Sequence, residues 1–315
     1  MFNEIKNRAA YFIERLFKKN NAQTKHMLGS IYFDKVKKKY NNINNLDEVE
    51  YKVFSQTGED GILHYLFDQI KINNAKFVEI GVGDYSECNT RFIYENSFSK
   101  GLIIDVEKDL RDKVSKNIDL WRGLIEIENI EVDANNINNI LDKHNLNGSL
   151  DLFSIDIDGI DYWVIEKLKS KISKVFVLEY NPVFGSNLEI TVPNLKSFSR
   201  FKSHYSGSYY GASLNAMIKL MQKKGFAYVG SNKLNFNAFF INEDYSSLFK
   251  NLIDNLKNLE HYTTIKARDS RDKMGKFDFL SDKKEKLQKI KNLEIVDVSS
   301  STNKKFKIDE IIKDL

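Results

Sequence analysis

The stretch Lys76-Phe77-Val78-Glu79-Ile80-Gly81-Val82-Gly83-Asp84 decides the fold. Five residues dominated by β-branched and aromatic side chains read as a buried strand, and two glycines one residue apart end it. Glycine at such a turn lets the backbone bend sharply and approach a ligand closely. A second apolar run, Gly101-Leu-Ile-Ile-Asp105, ends in an acid a little over twenty residues past the glycines. A carboxylate at that spacing accepts hydrogen bonds from the two ribose hydroxyls of a nucleoside cofactor.

The alternation continues outward from this pair. Strands are expected within 124–132, over Leu150–Asp156 and over Lys174–Glu179, and a helix from about Tyr162 to Lys169. A further helix is expected over Ser213–Lys224, then two final strands at 227–229 and 237–241. Short strands alternating with helical patterns predict an α/β domain: a mostly parallel central sheet with helices on both faces. Residues 51–245 form this domain. Residues 1–50 read as a helical basic arm, with Phe2, Ile5, Ala9, Phe12 and Leu16 at helical spacing. Residues 246–315 read as a charged, mainly helical extension.

Composition narrows the function classes. The first forty residues hold ten Lys/Arg against three acids, so the formal charge of +4 for the whole chain leaves −3 for the rest. The body offers little electrostatic support for binding nucleic acid. The arm suits packing on the body or on a second copy in a homodimer, or peripheral contact with an anionic membrane surface. Cys88 is the only cysteine, which excludes an intrachain disulfide and multi-thiolate zinc sites and fits a reducing cytoplasm. No apolar run reaches the ~20 residues of a bilayer span, and no signal peptide is expected at the charged N-terminus.

Carboxylates gather at the carboxyl ends of the later strands, where open α/β sheets bind ligands. Ser154-Ile-Asp156-Ile-Asp158-Gly159-Ile-Asp161-Tyr162 places three acids within six residues. Like charges so close persist when they bind a cation, share a proton or cap a helix. Leu178-Glu179-Tyr180-Asn181-Pro182 closes the neighbouring strand with a Glu that is costly to bury alone. Asp156 and Glu179 could share one polar site, as a proton acceptor or as oxygen ligands for a divalent ion such as Mg²⁺. His204, in the Ser/Gly/Tyr-rich stretch 203–213, is a further candidate base, and that stretch reads as a substrate lid. Glu131-Val-Asp133 offers an acid to an adenine amino group.

Taken in order, Ser55-Gln56-Thr-Gly58-Glu59-Asp60, Phe77 to Asp84, Glu87-Cys-Asn89-Thr90, Asp156 to Trp163, Glu179-Tyr-Asn181, Tyr210-Gly-Ala-Ser213 and Gly225 to Gly230 followed by Asn237-Ala-Phe-Phe240 resemble the FkbM-type methyltransferases over residues 53–243. The resemblance implies a Rossmann-like methyltransferase fold and transfer of a methyl group from S-adenosylmethionine to an oxygen, with a sugar, glycan or glycosylated small molecule as acceptor. It places the cofactor against Glu79, Gly81, Gly83 and Asp84, its ribose on Asp105, its adenine near Asp133, and Gln56 and Asp156 beside it. Asp158, Asp161, Asn181, Tyr210 and Ser213 fall on the acceptor side. The chain departs from the family where Asp158-Gly159-Ile-Asp161 replaces the more frequent Glu-Gly-x-Glu, which leaves the base and any metal open. Two other readings stand beside it. A nicotinamide-dependent oxidoreductase would need a third glycine where Ser86 stands. A non-catalytic binding module would keep the fold without the reaction.

Overall fold

The computed structural model describes residues 2–122, 124–148 and 150–314, with the backbone alone at 2–12, 14, 15, 19 and 122. The chain divides into two compact units, residues 1–43 with 49–131, and 44–48 with 132–315.

The first unit opens with α1 (Phe2–Lys37) and α2 (Glu59–Ile70), followed by β1 (Lys76–Ile80), α3 (Arg91–Asn96), β2 (Lys100–Asp105), α4 (Leu110–Asn117) and β3 (Ile125–Asn129). The strands pair in parallel, β1 on β2 and β2 on β3. Phe77, Val78, Leu102, Ile103 and Ile104 are fully buried, as strands covered on both faces require. Strand β3 alternates Ile with Glu and lies at the sheet edge, where charged side chains discourage pairing with another chain. Helix α2 ends at Lys71 in the left-handed conformation, with the Ile72 amide donating to the Phe67 carbonyl.

The second unit carries α5 (Ile137–Lys143), β4 (Leu150–Ile155), α6 (Asp161–Lys167), β5 (Ser173–Glu179), β6 (Ile190–Thr191), α7 (Arg200–Ser203), α8 (Leu214–Lys223), β7 (Phe226–Ser231) and β8 (Asn237–Asn242). It continues through α9 (Lys250–Asn255), α10 (Lys283–Ile290), β9 (Glu294–Asp297), β10 (Lys304–Lys307) and α11 (Ile308–Ile311). Strands β4 and β5 are parallel, whereas β8 runs antiparallel to both β5 and β7. Within the first unit the strands lie in the order β3-β2-β1, and within the second in the order β4-β5-β8-β7. The sheet is mostly parallel, as the alternation predicts, with its late strand β8 antiparallel beside β5.

The extension departs from expectation. Instead of a mainly helical segment, residues 246–315 include β9 and β10, which join β6 in an antiparallel three-stranded sheet. Ile295, Ile290, Leu287 and Ile308 pack with Val183, Phe184, Ile190 and Val192 in one cluster. The charged face read from sequence is real, but an apolar face opposite it ties the extension to the loops after β5. The apolar positions Phe2, Ile5, Ala9 and Phe12, and the charges of Lys6, Arg8 and Arg15, lie outside the described side chains. Among the described residues no helix is long and apolar enough to cross a membrane.

Candidate functional site

In the first unit, the chain leaves β1 through Gly81 and Gly83, at φ +87° and +53°. The Gly83 amide donates to Asp105 Oδ2 at 2.7 Å, and the Glu107 amide donates to Oδ1 at 2.8 Å. The acid at the tip of β2 is thereby held rigidly against the glycine turn. A Cβ built on Gly83 would meet nothing within 4 Å, so the turn faces open space. Each oxygen of Asp105 keeps a second lone pair for a ligand. Asp84 closes the turn, its Oδ1 accepting from the Ser86 amide at 2.9 Å, with Lys18 Nζ 3.6 Å from Oδ2. Burial raises its pKa, but the Ser86 and Asn117 hydrogen bonds and Lys18 outweigh it and hold the carboxyl below its ordinary value.

Glu79 behaves differently. It is buried, with Oε1 accepting from the Asn89 amide at 2.8 Å and Oε2 from the Thr90 amide at 2.9 Å and the Thr90 hydroxyl at 2.5 Å. Both oxygens fasten the loop that leads into α3. Cys88 is buried in the same loop, donating to the Val82 carbonyl at 3.2 Å, and burial first and Glu79 second push its thiol well up.

The Ser55–Asp60 segment is stitched together by its two acids. Asp60 Oδ2 accepts from the amides of Val53, Phe54 and Ser55 and from the Ser55 hydroxyl, at 2.7–2.8 Å. Glu59 accepts from the Thr57 and Gly58 amides. Burial pushes Asp60 up to about 6 in spite of these donors. Gln56 stands exposed on this loop. The rigidity of the segment was not legible from spacing alone; the signal was an acid pair directly after a Thr-Gly turn.

In the second unit, Asp156 follows the tip of β4 and Glu179 ends β5. One oxygen each from Asp156, Asp158 and Glu179 lies within 4.8 Å of the others. Glu179 is 6% exposed, and its Oε2 finds no N–H or O–H donor among the described residues. Burial first, then Asp158 and Asp161, pushes Asp156 up; burial and then Asp156 push Glu179 well up. Two carboxyls in contact cannot both ionise cheaply, so the pair retains a proton.

Arg200, which the sequence reading passed over, supplies the countercharge. Its Nη1 donates to Asp158 Oδ1 at 2.9 Å, its Nη2 to Asp269 Oδ2 at 2.5 Å and its Nε to the Gly207 carbonyl at 2.6 Å. The guanidinium lies 3.8 Å from the centre of the Tyr210 ring, a cation–π contact. Asp269 also takes Lys286 at 3.2 Å, so the C-terminal extension reaches the acidic cluster. Asp158 sits at φ +54°, an uncommon value for a residue with a side chain.

The other site residues expected from the sequence make hydrogen bonds within their own loops and turns. Asp161 is buried and takes the Ile157 and Gly159 amides at 3.0 Å each, closing the turn into α6. Asn181 donates to the carbonyls of Ser208 and Tyr210 and accepts from the Val183 amide. Ser213 caps α8 by accepting from the Ala216 amide at 3.2 Å. Asp133 accepts from the Asn135 and Asn136 amides in a turn before α5. His204 Nδ1 lies 2.8 Å from Ser206 Oγ, and the ring packs on Tyr205. Burial and then Lys289 lower its pKa. Its contacts are thus with its sequence neighbours, while Asp156, Asp158, Glu179, Arg200 and Tyr210 form a connected set.

No family profile matches the chain, and no curated protein does. Among solved structures, PKMT2 from Rickettsia typhi in complex with AdoHcy is 13% identical at a TM-score of 0.38, covering 58% of this chain and 52% of that one. An O-methyltransferase family protein from Burkholderia thailandensis is 14% identical at 0.35, covering 58% and 57%. TrmK of M. capricolum, in complex with S-adenosyl-homocysteine, is 12% identical at 0.28, covering 56% and 65%. The chain spans between half and two-thirds of the length of each. The parallel strands of each unit, with β8 antiparallel beside β5, carry the assignment of a Rossmann-like α/β fold.

Proposed function

We propose that this chain is an S-adenosylmethionine-dependent O-methyltransferase of the FkbM type, acting on a hydroxyl of a sugar or glycosylated acceptor. The observation that carries the reading is the Gly83–Asp105 clasp: an acid held by backbone amides at the end of β2, beside a positive-φ glycine that faces open space. Asp105 would accept the ribose hydroxyls, and Asp84, kept ionised, would face a cationic ligand. Glu79 and Asp60 act at one remove, by fastening the loops. The cofactor, when bound, supplies a methyl group on a sulfonium centre.

A hydroxyl is a weak nucleophile and must lose its proton as the carbon–oxygen bond forms. Asp156 and Glu179 are the acceptors we assign. Their mutual repulsion and burial raise proton affinity, which suits a base working near neutral pH. Arg200 sets how far that affinity rises by holding Asp158. Tyr210, stacked on Arg200, and Asp158 present a polar and an aromatic surface to an acceptor. The second occupant we propose for the same carboxylates is a divalent cation such as Mg²⁺, held by Asp156, Asp158 and Glu179, since the donorless Glu179 oxygen suits an oxygen-loving ion. Bound there, it would lower the pKa of an acceptor hydroxyl.

The test is methyl transfer from labelled S-adenosylmethionine to a panel of sugars, glycosylated small molecules, RNA and peptides, with and without chelator. Labelling of a sugar hydroxyl that Asp156→Asn abolishes supports the reading. Labelling confined to RNA or peptide overturns the acceptor class. Loss on chelation, restored by Mg²⁺, assigns the metal; unchanged activity removes it.

A further inference from the structure

Helix α1 has two apolar faces, and among the described residues only one is covered within a single copy. Ala22, Gly29 and Val36 point inward: Ala22 and Val36 are buried, and a Cβ on Gly29 would lie 2.6 Å from Val53 and 2.8 Å from Phe92. On the opposite face Ile13, Leu16, Phe17, Met27, Leu28 and Ile31 are 46–68% exposed. At 3.6 residues per turn these six fall within an arc of about 120°. A face of this size rarely stays bare on a monomer.

The spacing of the stripe is symmetric about Ala22. Ile13 and Ile31 are equally far from it, as are Leu16 and Leu28, and Phe17 and Met27. The polar pair Asn20 and Thr24 occupies the middle. A second copy of the helix laid antiparallel therefore meets the stripe with itself: Ile13 opposite Ile31, and Leu16 and Phe17 beside Met27 and Leu28. A two-fold axis requires such self-complementarity, because one patch serves both partners. Covering these side chains removes roughly 700 Å² per copy, close to the ~800 Å² per partner of a standard interface.

We infer that the chain forms a two-fold dimer through antiparallel pairing of α1, with the Ile13–Ile31 stripe as its core. The inference stands apart from the catalytic reading. Multi-angle light scattering at tens of micromolar should give twice the chain mass of 36.7 kDa. Leu16→Glu with Leu28→Glu should halve it while leaving the thermal melt of the fold in place, since both residues are exposed in one copy. Separately prepared Ile13→Cys and Ile31→Cys proteins should cross-link to each other when mixed and oxidised, and neither should cross-link alone. A wild-type monomer, a dimer that survives the double Glu variant, or cross-linking of Ile13→Cys with itself would overturn the pairing. A monomer that floats with phosphatidylserine vesicles would assign the stripe to a membrane surface instead.

Discussion

The Gly83 amide and the Asp105 carboxylate, 2.7 Å apart, join the turn after β1 to the tip of β2. Twenty-two residues of chain separate the two groups, so a nucleoside-sized ligand would find its acid already positioned. Preorganisation of this kind saves the cost of ordering a loop on binding.

Gly83→Ala tests the turn. The substitution places a methyl group in open space at φ +53°, where an L side chain costs ~1–2 kcal/mol. We expect S-adenosylmethionine affinity to fall at least about tenfold, with the melting temperature lowered by only a few degrees. Calorimetric titration alongside a thermal melt separates the two effects. Affinity equal to wild type would remove the turn from the cofactor site.

Asp105→Ala removes a carboxylate that would hold ribose hydroxyls. Hydrogen bonds to a charged group are each worth about 1.5–3 kcal/mol, so binding should weaken roughly ten- to a hundredfold. Asp105→Asn should retain the Glu107 contact and lose less.

Asp60→Ala should be costly to stability and indirect in its effect on activity. It strands three buried amides and the Ser55 hydroxyl, at a cost of about 2–4 kcal/mol. Urea unfolding reads this directly. A loss below ~1 kcal/mol would mean that the segment relaxes to find other partners.

The carboxyl pair predicts a pH dependence. Glu179 has a pKa above its unfolded value, so its contribution to stability is full below the ordinary Glu range and is lost as pH rises through the raised value. The stability of wild type relative to Glu179→Gln should therefore decline from about pH 5 upward. Activity should run the other way, rising with pH as the pair gives up its shared proton. Arg200→Gln should move that activity profile to higher pH, since the guanidinium lowers the proton affinity of both carboxyls. A profile unmoved by Arg200→Gln would detach the arginine from the base.

The parts of the fold readable from sequence are those written in local pattern. Lys76–Ile80 and Gly101–Asp105 are short runs rich in β-branched and aliphatic residues with glycine or acid punctuation, and both appear as parallel strands with Gly81 and Gly83 in positive-φ turns. What escaped depends on distant partners. Lys304–Lys307 looks like a charged segment and becomes a strand only because Glu294–Asp297 pairs with it, and that strand pairs in turn with Ile190–Thr191 about a hundred residues away. Arg200 and Asp269 carry no motif; their ion pair joins α7 to a stretch without regular structure. Asp161 and Ser213 suit ligand contact and helix capping equally by residue type, and backbone amides beside them engage their side-chain oxygens.

Calorimetric titration of the purified chain with S-adenosylmethionine, S-adenosylhomocysteine and NAD tests the central claim most directly. The account predicts saturable binding of the two adenosyl ligands in the micromolar range, abolished or much weakened by Asp105→Ala, and no binding of NAD. Silence toward both adenosyl ligands at millimolar concentration, or binding of NAD alone, would contradict it.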